Sequence, residues 1–130
     1  SGSWFVPRET RGGDVEWISK ETPENAVVMT TRPTTYYLYV KRQFVPLPTS
    51  RDEEQDLAQR IRQWNVDYVI TTDPAHPMYV LKSSTSNSSK QLHARTAELV
   101  ERGVLVRRYM LKDVDESIFQ VDNGQFAQEP

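Results

Sequence analysis

The residues best suited to chemistry follow one short apolar run. Asp73 and His76 lie three residues apart, directly after the apolar stretch 67–72. A carboxylate and an imidazole at this spacing could form the acid–base pair of a small hydrolase or begin a metal site. A metal site needs three or four ligands, and no ligand spacing connects His76 to His93, the other histidine. We therefore favour a structural or solvated His76 and predict no metal.

A second group of candidates follows the apolar run 26–31. Thr31 and Arg32 stand at its end, and an arginine beside hydroxyl groups can hold an anionic ligand. Open α/β sheets bind ligands beyond the carboxyl ends of their strands, where this group and Asp73 would both lie. The alternative is that the threonines and Asp73 cap loops and helices, as these residue types commonly do.

A tyrosine-rich segment separates Arg32 from Arg42. Its rings could stack on a sugar or contact a lipid headgroup, or they could simply be half-buried packing residues. We predict no catalytic residue and keep a set of candidate ligand-binding residues: Thr31, Arg32, Tyr36, Tyr37, Arg42, Asp73 and His76.

Several function classes lack the residues that their chemistry requires. The chain has no cysteine, which excludes disulfides, thiolate zinc sites and cysteine nucleophiles. The segment 31–34 contains no glycine for a dinucleotide-binding turn, and no P-loop or G-x-S-x-G motif is present. Thr31 and Arg32 stand where a receiver domain needs acidic residues for magnesium. The net charge of −2 gives no indication of nucleic acid, so we predict neither a cofactor nor a nucleic-acid partner.

Basic residues gather near the end of the chain, at positions 102, 107, 108 and 112. Acidic residues at 98, 101, 113, 115 and 116 offset them. A solvated face of mixed charge is the default interpretation of such a pattern.

Short β-branched runs alternate with amphipathic segments along the chain. Strands are predicted at 26–31, 43–45, 67–72, 104–111 and 118–121. Helices are predicted at 14–20, after a glycine break at 12–13; from a capping box at 50–53 through Trp64; and at 88–102, capped by Ser88. The segment 33–41 has strand propensity, but we favour a short helix there because two parallel strands need a crossover.

This alternation predicts an α/β fold. We expect three layers, with a mostly parallel sheet of about five strands, helices on both faces and a C-terminal antiparallel hairpin. Residues 4–121 would form a single domain. Residues 1–3 resemble a cloning remnant, and 122–130 would be a polar, frayed tail. No apolar run approaches the ~20 residues that a membrane span needs.

A recurrent combination of short motifs goes beyond these patterns. Trp17-Ile18 precedes Thr22-Pro23 and the run 26–28, and further motifs follow at 32–33, 41–42, 65–70, 109 and 118–121. Over residues 17–121 this sequence resembles the C-terminal soluble domain of polytopic membrane glycosyltransferases of the protein mannosyltransferase-like superfamily, from bacteria and archaea.

The resemblance implies a domain on the extracytoplasmic side of the cell membrane. Enzymes of this family use lipid-linked sugar donors, and their catalytic acids lie between early membrane helices, a portion that this sequence does not contain. The domain would then be non-catalytic. Its partner would be the membrane-embedded portion of the same polypeptide, and it could help to place the lipid-linked sugar or the acceptor. The alternative reading is a free-standing α/β module that binds a small ligand or regulates.

Overall fold

The computed structural model of the chain describes residues 8–48 and 56–129, with residues 8–12 described by their backbone alone. The helices are α1 Arg8–Glu21, α2 Pro33–Tyr37, α3 Leu57–Trp64, α4 Asn87–Glu101 and α5 Asn123–Phe126. The strands are β1 Val27–Thr30, β2 Gln43–Pro46, β3 Tyr68–Thr72, β4 Leu105–Met110 and β5 Glu116–Val121. The α/β class predicted from the sequence is confirmed.

The five strands form one mixed sheet in the order β2-β1-β3-β5-β4. β1 pairs in parallel with β2 and β3, whereas β5 runs antiparallel to both β3 and β4. The prediction of a mostly parallel sheet was therefore wrong. The connection 111–115 between β4 and β5 is too short for a crossover, so β5 must return antiparallel, and it does so between β3 and β4.

Side chains of the central strands alternate between two buried clusters. Val27 and Met29 of β1 pack in one cluster with residues of α3 and α4. Val28, between them, belongs to the other cluster, which includes Ile18 of α1 and Tyr36 of α2. This period of two is the geometry of a strand that is covered on both sides. Each fully buried aliphatic side chain contributes roughly 1.5–3 kcal/mol, so the two clusters supply most of the driving force for folding.

Helix α1 continues through the predicted glycine break at 12–13. Gly13 serves a close approach instead: a Cβ atom built there would lie 2.1 Å from the hydroxyl oxygen of Tyr109. Asp14, the predicted first residue of this helix, lies inside α1 and is buried. A glycine in a helical pattern can thus mark a packing contact between two elements rather than an end.

The caps of two helices differ from the predicted ones. The capping box predicted at 50–53 lies outside the described residues. The described helix α3 has a capping box of its own: the Asp56 carboxylate accepts from the Ala58 N–H at 3.2 Å, and the Gln59 amide oxygen accepts from the Asp56 N–H at 3.1 Å. Helix α4 begins after Ser86, whose hydroxyl accepts from the Ser89 N–H at 3.2 Å, and not at Ser88.

Two further segments complete the comparison with the sequence. The short helix favoured for 33–41 is confirmed over Pro33–Tyr37, where α2 provides the crossover between β1 and β2.

The polar segment from 122 onward contains the helical turn α5, capped by Asp122. Glu129 contacts Arg102 at 3.1 Å and Arg95 at 3.7 Å. The described part of this segment is therefore held against α4 and is not the frayed tail that we expected.

Candidate functional site

The candidate residues Arg32 and Asp73 lie at the same end of the sheet, which we call the carboxyl edge. β1 and β3 are parallel neighbours that end there, and Arg32 and Asp73 follow them. β5 runs the opposite way, so its first residues, Glu116 and Ser117, reach the same edge. The structure thus brings together two strand ends, as expected, and adds a third strand that the sequence did not place there.

Asp73, Arg107 and Ser117 form a hydrogen-bonded group that we call the Asp73 cluster. The Asp73 carboxylate accepts from Nη2 of Arg107 at 2.8 Å and also from its Nε. It accepts as well from the Ser117 hydroxyl at 2.8 Å and from the Ala75 N–H at 2.9 Å. The Asp73 side chain is only 1 % exposed. Four donors therefore fill the acceptor sites of one buried carboxylate.

The electrostatics of the Asp73 cluster favour the ion pair. Burial alone would raise the pKa of Asp73, but hydrogen bonds from Arg107, Ala75 and Ser117, together with the guanidinium charge, lower it below its usual value. The hydrogen bond to Asp73 likewise raises the pKa of Arg107. The guanidinium carbon of Arg107 also lies 5.5 Å from the ring centroid of Phe119, a contact that desolvates the arginine.

His76 is buried and has partners on both ring nitrogens. Its Nε2 lies 2.7 Å from the Leu111 carbonyl oxygen, and its Nδ1 accepts from the Met78 N–H at 3.0 Å. Because a carbonyl oxygen only accepts, these partners assign the hydrogen to Nε2. The ring ties the segment after β3 to the end of β4. This agrees with the structural role favoured from the sequence.

Asp73 and His76 are joined through the backbone, where the His76 N–H donates to the Asp73 carbonyl at 2.9 Å. The carboxylate and the imidazole each bind other groups. A general base needs a free lone pair within reach of a substrate proton, and neither side chain offers one in this arrangement. The geometry is that of a turn whose two end residues, Asp73 and His76, are both held by side-chain hydrogen bonds to other segments.

A second polar group lies at the carboxyl edge, beside the buried cluster that contains Ile18 of α1 and Tyr36 of α2. We call Arg32, Glu116, Tyr36 and Asp14 the Arg32 cluster. Arg32 Nη2 lies 2.8 Å from Glu116 Oε1, and the Tyr36 hydroxyl donates to Asp14 Oδ2 at 2.6 Å. The guanidinium carbon of Arg32 lies 5.7 Å from the centroid of the Tyr36 ring. Arg32 thereby links an ion pair to a buried hydrogen bond.

Burial and charge act in opposite directions in the Arg32 cluster. Burial lowers the pKa of Arg32, but the hydrogen bond and the attraction to Glu116 outweigh it, and the pKa is raised. Burial first, and then the charge of Asp14, raises the pKa of Tyr36. The Arg32 side chain remains 32 % exposed, and its buried Nε has no hydrogen-bond partner among the described residues. The Arg32 cluster is less closed than the Asp73 cluster.

Thr31 lies beside the Arg32 cluster as an exposed bend residue. The neighbouring Thr30 is buried and accepts from the Arg32 N–H at 3.2 Å with its hydroxyl. Of the two threonines, Thr30 acts as the turn residue and Thr31 faces solvent.

Arg42 hydrogen-bonds the end of α1. Its Nη2 donates to the carbonyls of Ser19 at 3.2 Å and Thr22 at 3.1 Å, and its Nε donates to the Thr22 hydroxyl at 3.0 Å. The last carbonyls of a helix have no partner within the helix, and a cation there is stabilising. The guanidinium that was predicted to face a ligand thus caps a helix.

The candidate tyrosines have different environments. Tyr36 is fully buried, whereas the Tyr37 ring is half exposed and lies 4.1 Å from Nζ of Lys41. Tyr37 lines an open pocket of about 380 Å³ between α2 and β2. The pocket is lined by Pro33, Thr34, Tyr37, Leu38, Arg42, Gln43 and Phe44. It lies beside the edge strand β2, and Thr31, Asp73 and His76 do not line it.

Sequence reasoning missed Arg107, Glu116 and Ser117. Arg107 was assigned to a solvated basic face, yet it pairs with a carboxylate 34 positions away in the chain. The available signal was the spacing of two between Leu105 and Arg107, because both residues pair with strand positions whose side chains, Val121 and Phe119, are buried in one cluster. A register shift between Arg107 and Tyr109 places Tyr109 with the opposite cluster, beside Ile118. Within 8–48 and 56–129, no group of three or more acidic, histidine or cysteine residues could hold a metal ion.

Comparisons with known proteins assign no family. No family model matches the chain, and no curated protein matches it significantly. The resemblance to a membrane glycosyltransferase therefore stays a prediction. Among the described helices, none has the length and apolar character to cross a membrane.

Proposed function

We propose that this chain is a non-catalytic, extracytoplasmic accessory domain of a membrane-embedded glycosyltransferase that uses a lipid-linked sugar donor. One observation carries the non-catalytic part of the proposal. The best acid–base candidates at the carboxyl edge are Asp73 and His76, and the side chains of both form hydrogen bonds to other residues of the domain. The sequence motifs over residues 17–121 support the assignment to that class of enzyme.

The arrangement of the Asp73 cluster supports a role in the stability of the fold rather than a role in catalysis. A catalytic carboxylate must exchange a proton or a lone pair with substrate, and its pKa is tuned toward the working pH. Asp73 has the opposite character, because its donors lower its pKa and occupy both oxygens.

We also infer the finer architecture that such a domain would have. The two buried clusters on either side of the sheet support a three-layer arrangement, with α3 and α4 on one side and α1 and α2 on the other. The antiparallel pairing of β4 with β5 across the connection 111–115 supports a C-terminal hairpin at one side of the sheet.

The test uses the complete polypeptide that carries this chain. Its upstream sequence should contain several hydrophobic spans, and glycosyl transfer in membranes should survive His76→Ala. Thr31→Ala is a matched control at an exposed position of the same edge. Absence of spans would refute the membrane assignment. Loss of turnover in His76→Ala, with the protein folded and at normal abundance, would refute the non-catalytic role.

A second candidate function rests on the Arg32 cluster. A small-ligand binding or regulatory module would bind its ligand beyond the ends of β1 and β3, where Arg32 is partly exposed and its Nε has no hydrogen-bond partner among the described residues. An anion bound there at a hundredfold excess over its dissociation constant would stabilise the domain by about 2.7 kcal/mol. Thermal melting of the native chain and of Arg32→Gln, each with phosphate or sugar phosphates, tests whether an anion binds there. Unchanged melting with every anion would refute it.

A further inference from the structure

Exposed apolar side chains concentrate at the carboxyl edge, near the ends of β3 and β4. Of the seven large apolar side chains that are exposed among the described residues, five lie here. We call them the apolar tip: Met78, Val80 and Leu81 in the segment after β3, and Met110 and Val114 around the β4–β5 connection. Single exposed apolar residues are ordinary, but a concentration at one end of a domain indicates a contact surface.

The backbone that carries the apolar tip is held in place. His76 binds the Leu111 carbonyl and so connects the segment after β3 to the β4–β5 connection. The Tyr79 hydroxyl lies 3.2 Å from Nδ1 of His93, and the two rings meet edge to face, which attaches the same segment to α4. The residues beside these anchors, Val80 above all with 70 % exposure, therefore project from a supported loop.

The segment that carries Met78, Val80 and Leu81 is basic, although the chain as a whole carries −2. No acidic residue occurs from 74 to 97, a stretch that contains Lys82, Lys90 and Arg95. Arg95 pairs with Asp56 and Glu98. Lys82 and Lys90 are exposed and form no ion pair with the residues that the structure describes. In the β4–β5 connection, Asp113 and Asp115 flank Val114, and Lys112 precedes them.

We infer that the apolar tip inserts into the interfacial region of an anionic lipid bilayer, with Lys82 and Lys90 against the lipid phosphates. Apolar side chains beside lysines that form no ion pair within 8–48 and 56–129 match the two attractions that hold a domain on such a surface. Flanking lysines can keep their stems along the apolar layer and their charges at the phosphates. This inference deepens the proposed function and rests on it, because a membrane enzyme holds its soluble domain beside the bilayer.

The first test measures binding of the purified chain to vesicles by co-sedimentation. Vesicles of phosphatidylcholine and phosphatidylglycerol in equal parts should bind the chain, with binding that weakens as salt is added, and vesicles of phosphatidylcholine alone should bind it less. The double variant Val80→Ser, Leu81→Ser should lower the partition coefficient at least about tenfold, since two aliphatic side chains leave the interface. Leu38→Ser is the matched control, as exposed as Val80 at 70 % but directly after α2, and should bind like the native chain.

The second test addresses the lysines. Lys82→Gln should lower partition into the anionic vesicles about fivefold, the effect of one cation near such a surface. Lys41→Gln, an exposed lysine beside α2, should have no effect. Circular dichroism melting should be unchanged in all four variants, because every altered side chain is exposed. Partition that falls equally with Leu38→Ser or Lys41→Gln would show non-specific adsorption and overturn the inference.

Absence of binding to the anionic vesicles would also overturn the inference. If the chain instead bound only the membrane-embedded portion of its own polypeptide, and Val80→Ser with Leu81→Ser abolished that contact, the surface would be a protein interface. The proposed function fails separately, since it depends on hydrophobic spans in the complete polypeptide. Vesicle binding without such spans would leave the lipid inference standing and remove the glycosyltransferase assignment.

Discussion

The Asp73 cluster and the Arg32 cluster occupy the same end of the sheet but differ in how completely they are closed. Asp73 accepts four hydrogen bonds and is 1 % exposed. Arg32 makes one ion pair, stays 32 % exposed and keeps an Nε without a partner among the described residues. Residues 117 and 116 of β5 point to opposite sides of the sheet, so one strand supplies a partner to each cluster.

The difference shows how to separate structure from binding capacity at a strand end. A closed cluster has nothing left to offer a ligand, so its loss should appear as lost stability. An open one can lose a partner at lower cost, because water solvates the group that remains. Denaturant unfolding of matched variants measures this difference directly.

The largest effect is expected for Asp73→Asn. This change removes the charge that balances Arg107 and leaves the donors around it imperfectly paired, which should destabilise the domain by about 3 kcal/mol. Urea unfolding at pH 7 measures it, and Asp113→Asn, an exposed acid in the β4–β5 connection, is the control with an expected change below about 0.5 kcal/mol. Equal midpoints for the two variants would contradict the account of a closed cluster.

Tyr36→Phe is expected to have the next largest effect. It removes the 2.6 Å hydrogen bond to the buried Asp14 carboxylate and keeps the ring, so it should cost about 2 kcal/mol. Tyr37→Phe, in the next position but half exposed, is the matched control. A loss below that of the control would show that Asp14 does not depend on this hydroxyl.

Glu116→Gln should have a smaller effect, about 1 kcal/mol, because Arg32 is partly exposed and water can replace its partner. The same unfolding measurement applies. If Glu116→Gln cost as much as Asp73→Asn, the distinction between an open and a closed cluster would fail.

The two clusters should also respond to opposite ends of the pH scale. The pKa of Asp73 is lowered from 3.8, so its contribution is complete above that value and is lost as pH falls through the folded pKa. The pKa of Tyr36 is raised from 10.0, so its contribution is complete below that value and is lost as pH rises toward the folded pKa. Tyr68 and Tyr109, whose pKa values are also raised, add to the alkaline loss.

The free energy of unfolding, measured against pH for the variants, separates the acid limb of the profile from its alkaline limb. Asp73→Asn should flatten the acid limb and leave the alkaline limb unchanged, and Tyr36→Phe should do the reverse. Parallel shifts of the whole profile in both variants would assign the pH dependence to other groups.

The sequence predicted the α/β class because buried β-branched runs and amphipathic segments leave local patterns. It did not predict the position of β5, because adjacency of strands is set by long-range packing. The composition of the last two strands already indicated which one lies at the edge. β4 carries Arg107 and Arg108 and is the edge strand, whereas β5 carries Ile118 and Phe119 and is almost entirely buried.

The candidate site was predictable to a similar extent. The placement of Arg32 and Asp73 at one edge follows from two parallel strands with polar residues at their ends. The partners of these residues do not follow from the sequence, since Arg107 and Glu116 come from strands whose order could not be derived. The contacts of Arg42 at the end of α1 were not predicted for a related reason: they join residues about twenty positions apart, which no local pattern reports.

A double-mutant cycle of Asp73→Asn and Arg107→Met tests the central claim most directly, namely that the carboxyl edge uses its strongest charges to hold the fold together. Urea unfolding of the native chain, both single variants and the double variant gives the coupling free energy. We predict a coupling of about 2 kcal/mol, within the range for contacting residues of one network. A coupling near zero would show that the two side chains act independently and would contradict the account.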